Sequence, residues 1–406
     1  MSIQSLSFKK SIQAPVSEVF RAFTNATALR EWLCDVATIS PYENGRLYLA
    51  WNNGYFACGE YSSVKQAEEV TFTWCGKNDP ARTQVIVSMV SVGGKTQLEL
   101  IHSGIGSDSE WIKTKEELLR IWETGLGNLV SILETGEDLR ITLRPMMGIT
   151  ISEFNDEVAR KLGVPVTQGV RLDDVLDGMG AKDAGLITDD VIVAIADKEV
   201  KDWASLADAL QHQQSGDRVE VGFFRGSKKM TTTMELSSRP MPEIPADQKG
   251  LAEIVSEKFR EIESQLEDIF ADVTESEASY KPGPEDWSVK ENLAHLIHGE
   301  RFTQNWIYQL LGGHEQFADD WGGNPYASVA ATVAVYPTLL DLQEEYKRGM
   351  AETVSLLEHL PEDFIARKGS YWRVAYSFLE DSTHFNSHVE QIRKLIIEAR
   401  KAVTTS

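Results

Sequence analysis

The chain reads DSTHFNSHVEQIRKLII over residues 381–397. His384 and His388 stand four positions apart in this stretch, and apolar residues such as Phe385 and Ile392 recur around them at helical spacing. Residues at i and i+4 share one face of a helix, so the pattern predicts two imidazoles on the face that packs inward. Either both rings are ordinary buried side chains with hydrogen-bond partners, or they bind something together.

The surrounding segment, residues 250–406, has helical periodicity almost throughout. Three further amphipathic stretches are GLAEIVSEKFREIESQLEDIFADV, WSVKENLAHLIHGERFTQNWIYQLL and TLLDLQEEYKRGMAETVSLLEHL. Ser288 and Glu291 have the spacing of a capping box at the start of the second of these helices. One long connection, GGHEQFADDWGGNP, interrupts the pattern. Four such helices predict an all-α four-helix bundle.

A bundle can supply a third ligand from a facing helix, and the candidate is His295 in ENLAHLIHGERF. Three neutral imidazoles leave coordination positions open for water or substrate, as in catalytic metal sites. Nitrogen ligands suit zinc, nickel and iron, so the ligand set does not select the metal. His298, one turn from His295, is the alternative assignment. A chance HxxxH pattern with both rings hydrogen-bonded remains the other interpretation.

This segment resembles the DinB/YfiT-like family of metal-binding four-helix bundles. The matching positions are Trp287, Ser288, Val289, His295, His384, His388, Gln391 and Ile392. The resemblance implies that His295, His384 and His388 are the ligands of a divalent transition metal. Some members of the family are thiol-dependent transferases or isomerases, which makes a low-molecular-weight thiol a candidate cofactor.

Residues 1–138 show a different order of elements. A strand pattern, two short helices, a series of period-two stretches such as RLYLAW and TQVIVSMVSV, and a long amphipathic helix predict an α+β helix-grip domain. The residues SIQAP at 11–15, Val19, Phe20 and LREW at 29–32 resemble START-like (SRPBCC) proteins, in the branch related to activators of the heat-shock ATPase. In that family the long helix closes over a curved sheet and often leaves an apolar cavity.

Five aromatic residues of this domain either line a small-ligand cavity or fill the core. They are Trp51, Phe56, Trp74, Trp111 and Trp122. Because the sequence does not distinguish these two arrangements, the partner of the domain is predicted to be either an apolar small molecule or a protein.

Residues 139–240 resemble a bacterial, protease-associated PDZ domain, which is mostly β. The matching stretches are Gly148-Ile149, Gly169-Val170, AKDAGL at 181–186, Asp190-Val191-Ile192, a helix near Ser205 and Arg225-Gly226. The resemblance implies that a peptide C-terminus binds the loop Met146, Met147, Gly148 and Ile149, opposite the helix that begins near Ser205. Alternatively, the groove is empty or holds a neighbouring domain.

This segment departs from the PDZ pattern at two positions. Pro145 removes a backbone N–H just ahead of the loop, and Asp189 replaces the glycine usual before Asp190. After this segment, the proline-rich residues 241–249 indicate a semi-rigid linker.

Composition excludes some classes of partner. The formal net charge of -22 over 406 residues should repel nucleic acid and anionic membrane surfaces. No apolar run reaches the length of a membrane span, and the first residues lack the apolar segment of a signal peptide. Three cysteines without a CxxC pair argue against a disulfide framework, so a cytoplasmic location is expected.

The sequence therefore predicts a cytoplasmic, multidomain binding or adaptor protein. The alternative is a metal-dependent transferase or hydrolase that uses the histidine site. Glu300, Glu390 and Asp381 are near the histidines in sequence, but each can equally be a solvated helix charge.

Overall fold

A computed structural model describes residues 3–211, 213–316, 325–380 and 383–405. The chain is arranged in two compact units. Residues 138–241 form one unit, and residues 1–137 together with 242–406 form the other. The first and last segments thus fold together, an association that the sequence pattern did not predict.

The N-terminal part of the larger unit is a sheet covered by helices. Its elements are β1 (Ile3–Ile12), α1 (Val16–Thr24), α2 (Ala26–Trp32), β2 (Val36–Ile39), β3 (Arg46–Ala50), β4 (Phe56–Lys65), β5 (Glu69–Gly76), β6 (Thr83–Val92), β7 (Lys95–Gly106) and α3 (Ile112–Glu134). The seven strands form an antiparallel sheet in the order β1-β7-β6-β5-β4-β3-β2. Leu118, Trp122 and Leu129 of α3 belong to the same buried cluster as the inward side chains of the sheet. This is the helix-grip order that the sequence predicts.

The smaller unit is mostly β. Its elements are α4 (Leu139–Thr142), β8 (Pro145–Met146), β9 (Ile149–Ser152), α5 (Asp156–Leu162), β10 (Val170–Val175), α6 (Gly180–Asp183), β11 (Val191–Ile195), β12 (Lys198–Glu199), α7 (Trp203–Leu210), β13 (Arg218–Arg225), β14 (Lys228–Glu235) and β15 (Ser237–Ser238). The main sheet has the order β14-β13-β11-β10-β9, so β9 lies at its edge.

The C-terminal part of the larger unit is helical. Its elements are α8 (Gln248–Phe270), α9 (Glu275–Ala278), α10 (Val289–Gly312), α11 (Pro325–Val335), α12 (Leu339–Glu358), α13 (Glu362–Ala366), α14 (Lys368–Leu379) and α15 (Thr383–Thr405). Ser288 and Glu291 form the predicted capping box at the start of α10. The sequence pattern did not identify α14, most of whose residues are buried.

A buried carboxylate joins the two parts of the larger unit. The side chain of Glu315 is 5% exposed, and its Oε2 lies 3.1 Å from Nη1 of Arg30 on α2. Arg373 on α14 donates to both oxygens, at 3.0 and 2.8 Å, and Trp306 on α10 donates its indole N–H to Oε1 at 2.8 Å. One carboxylate therefore binds a helix of the N-terminal part and two helices of the bundle.

Further hydrogen bonds link the two parts of the larger unit at the same junction. The Ser370 hydroxyl donates to Glu31 Oε1 at 2.5 Å, and both residues are buried. The backbone N–H of Glu315 donates to Thr27 Oγ1 at 2.9 Å. Buried polar groups that are paired across the junction favour one arrangement of the two parts, because separating the parts would leave these groups without partners.

The charge of Glu315 should make the larger unit less stable in acid. Burial raises the pKa of Glu315, but the cations of Arg373 and Arg30 outweigh burial and hold it below its ordinary value. The stabilisation is therefore present above the ordinary glutamate pKa and is lost as the pH falls through the lowered value. At pH 7, Glu315→Gln should lower the free energy of unfolding by about 2–3 kcal/mol. Urea unfolding of the full chain from pH 7 to pH 3 measures this loss, which should shrink in acid.

The matched control is Glu390→Gln, which breaks an exposed pair with Lys394 in the same bundle and should have no measurable effect. A Glu315→Gln loss that is the same at pH 7 and pH 3 would contradict this account of the junction.

Candidate functional site

Two of the three predicted metal ligands meet between α10 and α15. The ring centroids of His295 and His388 are 4.9 Å apart, with an angle of 51° between the ring planes. Phe385, Val389 and Ile392 of α15 are buried around His388, because the apolar stripe of this helix packs into the bundle. The packing of that stripe brings His388 to His295.

A buried amide contacts the second histidine. Nδ1 of His388 lies 3.1 Å from Oδ1 of Asn292, one turn ahead of His295 on α10. Asn292 is completely buried. Its own Nδ2 donates to the backbone carbonyl of Ser288 at 3.0 Å. Asn292 was not predicted from the sequence, although an asparagine on the buried face of a helix is a detectable signal, since such a group needs partners.

Aromatic rings cover the other histidine. The ring centroid of Trp287 is 5.0 Å from that of His295, and Tyr326 on α11 is 6.1 Å from Trp287. Trp287 directly precedes the capping residue Ser288, so the start of α10 places it. The described contacts of the pair thus include an amide beside His388 and aromatic rings beside His295.

The side chain of the third predicted ligand, His384, lies outside the described residues. Its backbone belongs to α15, one turn before His388. Among the side chains that the structure describes, no group of three His, Cys, Asp or Glu residues is arranged around a common point. The alternative ligand His298 has other contacts, because its Nε2 lies 3.0 Å from both Ser328 O and Thr332 Oγ1 on α11.

The acidic residues considered near the histidines have other surroundings. Glu300 lies half-buried between α10 and α12, where it accepts a hydrogen bond from Thr353 at 2.9 Å, and desolvation raises its pKa. Glu390 is exposed and pairs with Lys394. Asp381 lies outside the described residues.

The predicted peptide loop precedes the edge strand β9. Gly148 has a φ of 76°, and a Cβ at this position would lie 2.2 Å from Cβ of Met179. The carbonyls of Met147 and Gly148 accept hydrogen bonds from Ala181 at 2.9 Å and Leu176 at 2.8 Å. These hydrogen bonds hold the loop in place, and position 148 requires glycine. The edge of β9 has no strand beside it in the described sheet.

The structure places two residues of this unit that the sequence singled out. The Ser205 hydroxyl donates to the backbone carbonyl of Asp202, the N-cap of α7, and the two residues form the capping box of this helix. Pro145 lies in β8 and pairs with Ser238. The exposed apolar side chains of Ile151 on β9 and Trp203 on α7 were not predicted.

The turn before β11 explains why glycine is usual at position 189. Asp189 has a φ of 70°, a backbone conformation that disfavours side chains. Its carboxylate accepts hydrogen bonds from Arg171 at 2.8 and 2.6 Å. The neighbouring Asp190 is fully buried and binds Arg225 through both oxygens, at 2.8 and 2.7 Å. The extra charge at 189 is thus paired across the turn.

The five aromatic residues of the N-terminal part differ in their burial and contacts. Trp74 and Trp122 are fully buried with ring centroids 5.4 Å apart, and Trp51 lies 6.3 Å from Trp74. Trp111 closes over Gly106 at the end of β7. Phe56 is 39% exposed because it alternates with the inward Ala57 on β4.

His102 completes this cluster. Trp122 donates its indole N–H to His102 Nδ1 at 2.9 Å, and Nε2 lies 2.7 Å from the Thr83 hydroxyl. Burial lowers the pKa of His102 to about 4, so the ring is neutral at pH 7. These contacts are those of a packed core with a satisfied histidine.

Three family models match consecutive parts of the chain. They are Activator of Hsp90 ATPase homolog 1-like protein over residues 13–134, the PDZ domain over 145–236 and the DinB superfamily over 258–392. The chain is a three-domain protein. Its parts are here named the AHSA1-like, PDZ-like and DinB-like domains, and their combination supports a multidomain binding or adaptor protein.

Curated relatives match the PDZ region. The chain is 35% identical over 115 residues to the serine protease Do-like HtrA of Lactococcus lactis subsp. cremoris, a match that covers 27% of this chain and 28% of the relative. It is 25% identical over 95 residues to the periplasmic pH-dependent serine endoprotease DegQ of Escherichia coli, with 23% and 21% coverage. The match thus spans under a third of each relative.

Solved structures match about a third of the chain. The Aha1 dimer from Colwellia psychrerythraea is 16% identical, with a TM-score of 0.29, and the match covers 32% of this chain and 96% of that chain. An HSP90 activator from Plasmodium falciparum is 22% identical, with a TM-score of 0.28 and coverages of 32% and 95%.

No helix in the described part of the chain is long and apolar enough to cross a membrane.

The buried Asp190 should be the main electrostatic support of the PDZ-like domain. Asp190→Asn removes the charge facing Arg225 in a fully buried position, and we expect a loss of about 2 kcal/mol in stability. Asp189→Gly is the matched control, because it breaks the Arg171 pair but relieves the left-handed backbone, with a net change within about 1 kcal/mol.

Hydrogen exchange of peptides from residues 138–241 in the full chain measures both effects. Faster exchange throughout this unit is expected for Asp190→Asn only. An equal effect of the two variants would contradict the assignment.

Proposed function

We propose that this chain is a multidomain binding protein in which the DinB-like domain holds a divalent transition metal and the PDZ-like domain holds a peptide C-terminus. The observation that carries the metal proposal is the contact between His295 and His388. His384, one helical turn before His388, is the proposed third ligand. Bound metal would supply Lewis acidity and an exchangeable coordination position.

The spacing of the two rings fits a shared metal. With metal–nitrogen bonds of about 2.1 Å, each ring centroid would lie about 3.2 Å from the ion, which puts two centroids about 4.5–5.2 Å apart for bond angles of about 90–109°. The observed separation of 4.9 Å falls inside this range. Zinc, nickel and iron all remain candidates.

The binding role is favoured over the enzymatic alternative by the described neighbours of the histidines. Asn292 contacts His388, Trp287 lies against His295 and Tyr326 lies against Trp287, and none of these three side chains is a carboxylate or an imidazole. Glu300, the candidate carboxylate on α10, bonds Thr353 instead. A thiol-dependent transferase or hydrolase would need its acid–base group from outside these residues.

We propose a protein partner for the AHSA1-like domain. The packing of Trp74, Trp122 and His102 supports a filled interior, which leaves the outer surface for recognition.

A cytoplasmic location is part of the proposal, because all three cysteines are free and reducing compartments keep thiols free.

Metal binding should depend on all three histidines. Replacing His295, His384 or His388 with alanine leaves two ligands, so metal content per chain should fall far below one equivalent. His298→Ala is the matched control, because its ring contacts α11, and it should retain metal. Elemental analysis of full-length protein after exposure to zinc, nickel or iron and desalting gives the content. Wild-type protein that retains none of these metals, or a His388→Ala variant that retains them fully, would rule out the site.

Peptide binding should require a free C-terminal carboxylate. Backbone N–H groups at the loop before β9 would receive that charge, so amidated peptides should bind at least about tenfold more weakly. Fluorescence anisotropy with short peptides ending in Val, Leu or Phe measures the difference on the full chain.

Two glycine variants localise this effect. Gly148→Ala brings a Cβ into Met179 and should abolish binding, whereas Gly178→Ala has a similar φ of 74° but meets nothing within 4 Å and should preserve it. Equal affinity for acid and amide, or equal loss in both variants, would exclude this binding mode.

A further inference from the structure

The orientation of the Asn292 amide follows from its partners. A side-chain amide has one donating and one accepting end. Nδ2 lies 3.0 Å from the backbone carbonyl oxygen of Ser288, which can only accept. The NH₂ group must therefore face Ser288, and the carbonyl oxygen Oδ1 must face His388.

This orientation fixes the proton on the histidine. Oδ1 of Asn292 lies 3.1 Å from Nδ1 of His388 and can only accept, so Nδ1 must carry a hydrogen. A neutral imidazole carries one ring hydrogen, so the lone pair of His388 is on Nε2.

We propose that Asn292 is a positioning residue, which holds His388 in the tautomer that presents Nε2 to the metal. This inference rests on the proposed metal site. Histidines that bind metals usually donate their other ring N–H to a fixed acceptor, which orients the ring and selects the tautomer. Asn292 supplies this acceptor from the facing helix.

The start of α10 holds the positioning residue in place. The carbonyl of Ser288 accepts the side-chain N–H of Asn292 and also its backbone N–H, both at 3.0 Å. Ser288 itself is fixed by the capping box with Glu291, whose carboxylate also binds Lys281 at 2.6 Å. The cap of one helix thus orients a side chain of another.

The position of Asn292 argues that this hydrogen bond has a role beyond packing. Asparagine is a poor helix former, and burying its amide is costly unless both ends are paired. An apolar residue would suit the buried face of α10 better, as Leu293 and Leu296 do. The amide has one local partner in Ser288 and one distant partner, His388.

The tautomer can be read without metal. Full-length protein labelled with ¹⁵N-histidine, free of metal at pH 7.5, gives long-range ¹H–¹⁵N spectra in which the two ring nitrogens differ, and loss of a signal in His388→Ala assigns it. We expect the Nδ1–H form in wild type and a mixture of forms in Asn292→Ala. A predominant Nε2–H form in wild type would overturn the inference.

Zinc titration in competition with a chelator tests whether the hydrogen bond from Asn292 to His388 affects zinc affinity. Asn292→Leu and Asn292→Ala should each weaken zinc affinity about 10–100-fold. The matched control is Gln304→Leu, which removes another buried amide of α10, one that bonds Gly349 and Thr353 on α12. It should leave affinity unchanged.

The outcomes separate the two proposals. Folded Asn292→Leu and Asn292→Ala proteins that bind zinc like wild type, or a Gln304→Leu protein that is weakened equally, would overturn the positioning role. Wild type that binds no zinc would remove the proposed metal site and with it this role, while the ring spectra would still decide whether Asn292 sets the tautomer.

Discussion

The larger unit depends on the placement of one buried carboxylate, Glu315. A charge removed from water is costly unless several partners replace the lost hydration. Arg30, Arg373 and Trp306 provide those partners from three helices. Because the partners come from both the AHSA1-like and the DinB-like domain, satisfying this charge requires the two domains to pack together. The residues that hold Glu315 therefore also set where α10 and α14 lie.

The histidine pair depends on helices positioned in this way. His295 is on α10, which also carries Trp306, and His388 is on α15, which packs against α10 through its buried apolar stripe. The hydrogen bond from Asn292 links the start of α10 to the ring of His388. A disturbance of the domain junction would thus reach the proposed metal site through one rigid helix, whereas the PDZ-like domain has its own core and its own buried ion pair.

The three domains carry their chemistry differently. In the AHSA1-like domain, buried polar groups such as His102 form their hydrogen bonds with partners inside the core. In the PDZ-like domain, β9 lies at the edge of the described sheet and follows the left-handed Gly148. In the DinB-like domain, side chains from two helices converge. The arrangement in the AHSA1-like domain stabilises its core, whereas the arrangements in the PDZ-like and DinB-like domains favour binding.

The sequence determined the local features because each rests on a short-range rule. Period-two and period-3.6 patterns gave the helix-grip sheet and the helices, the spacing of Ser288 and Glu291 gave the capping box, and the HxxxH spacing placed two histidines on one helix face. Only the tertiary structure decided which distant groups meet. The Glu315 junction and the Asn292–His388 bond each join residues far apart in the chain. Such contacts depend on how helices and strands pack, and no local periodicity encodes that.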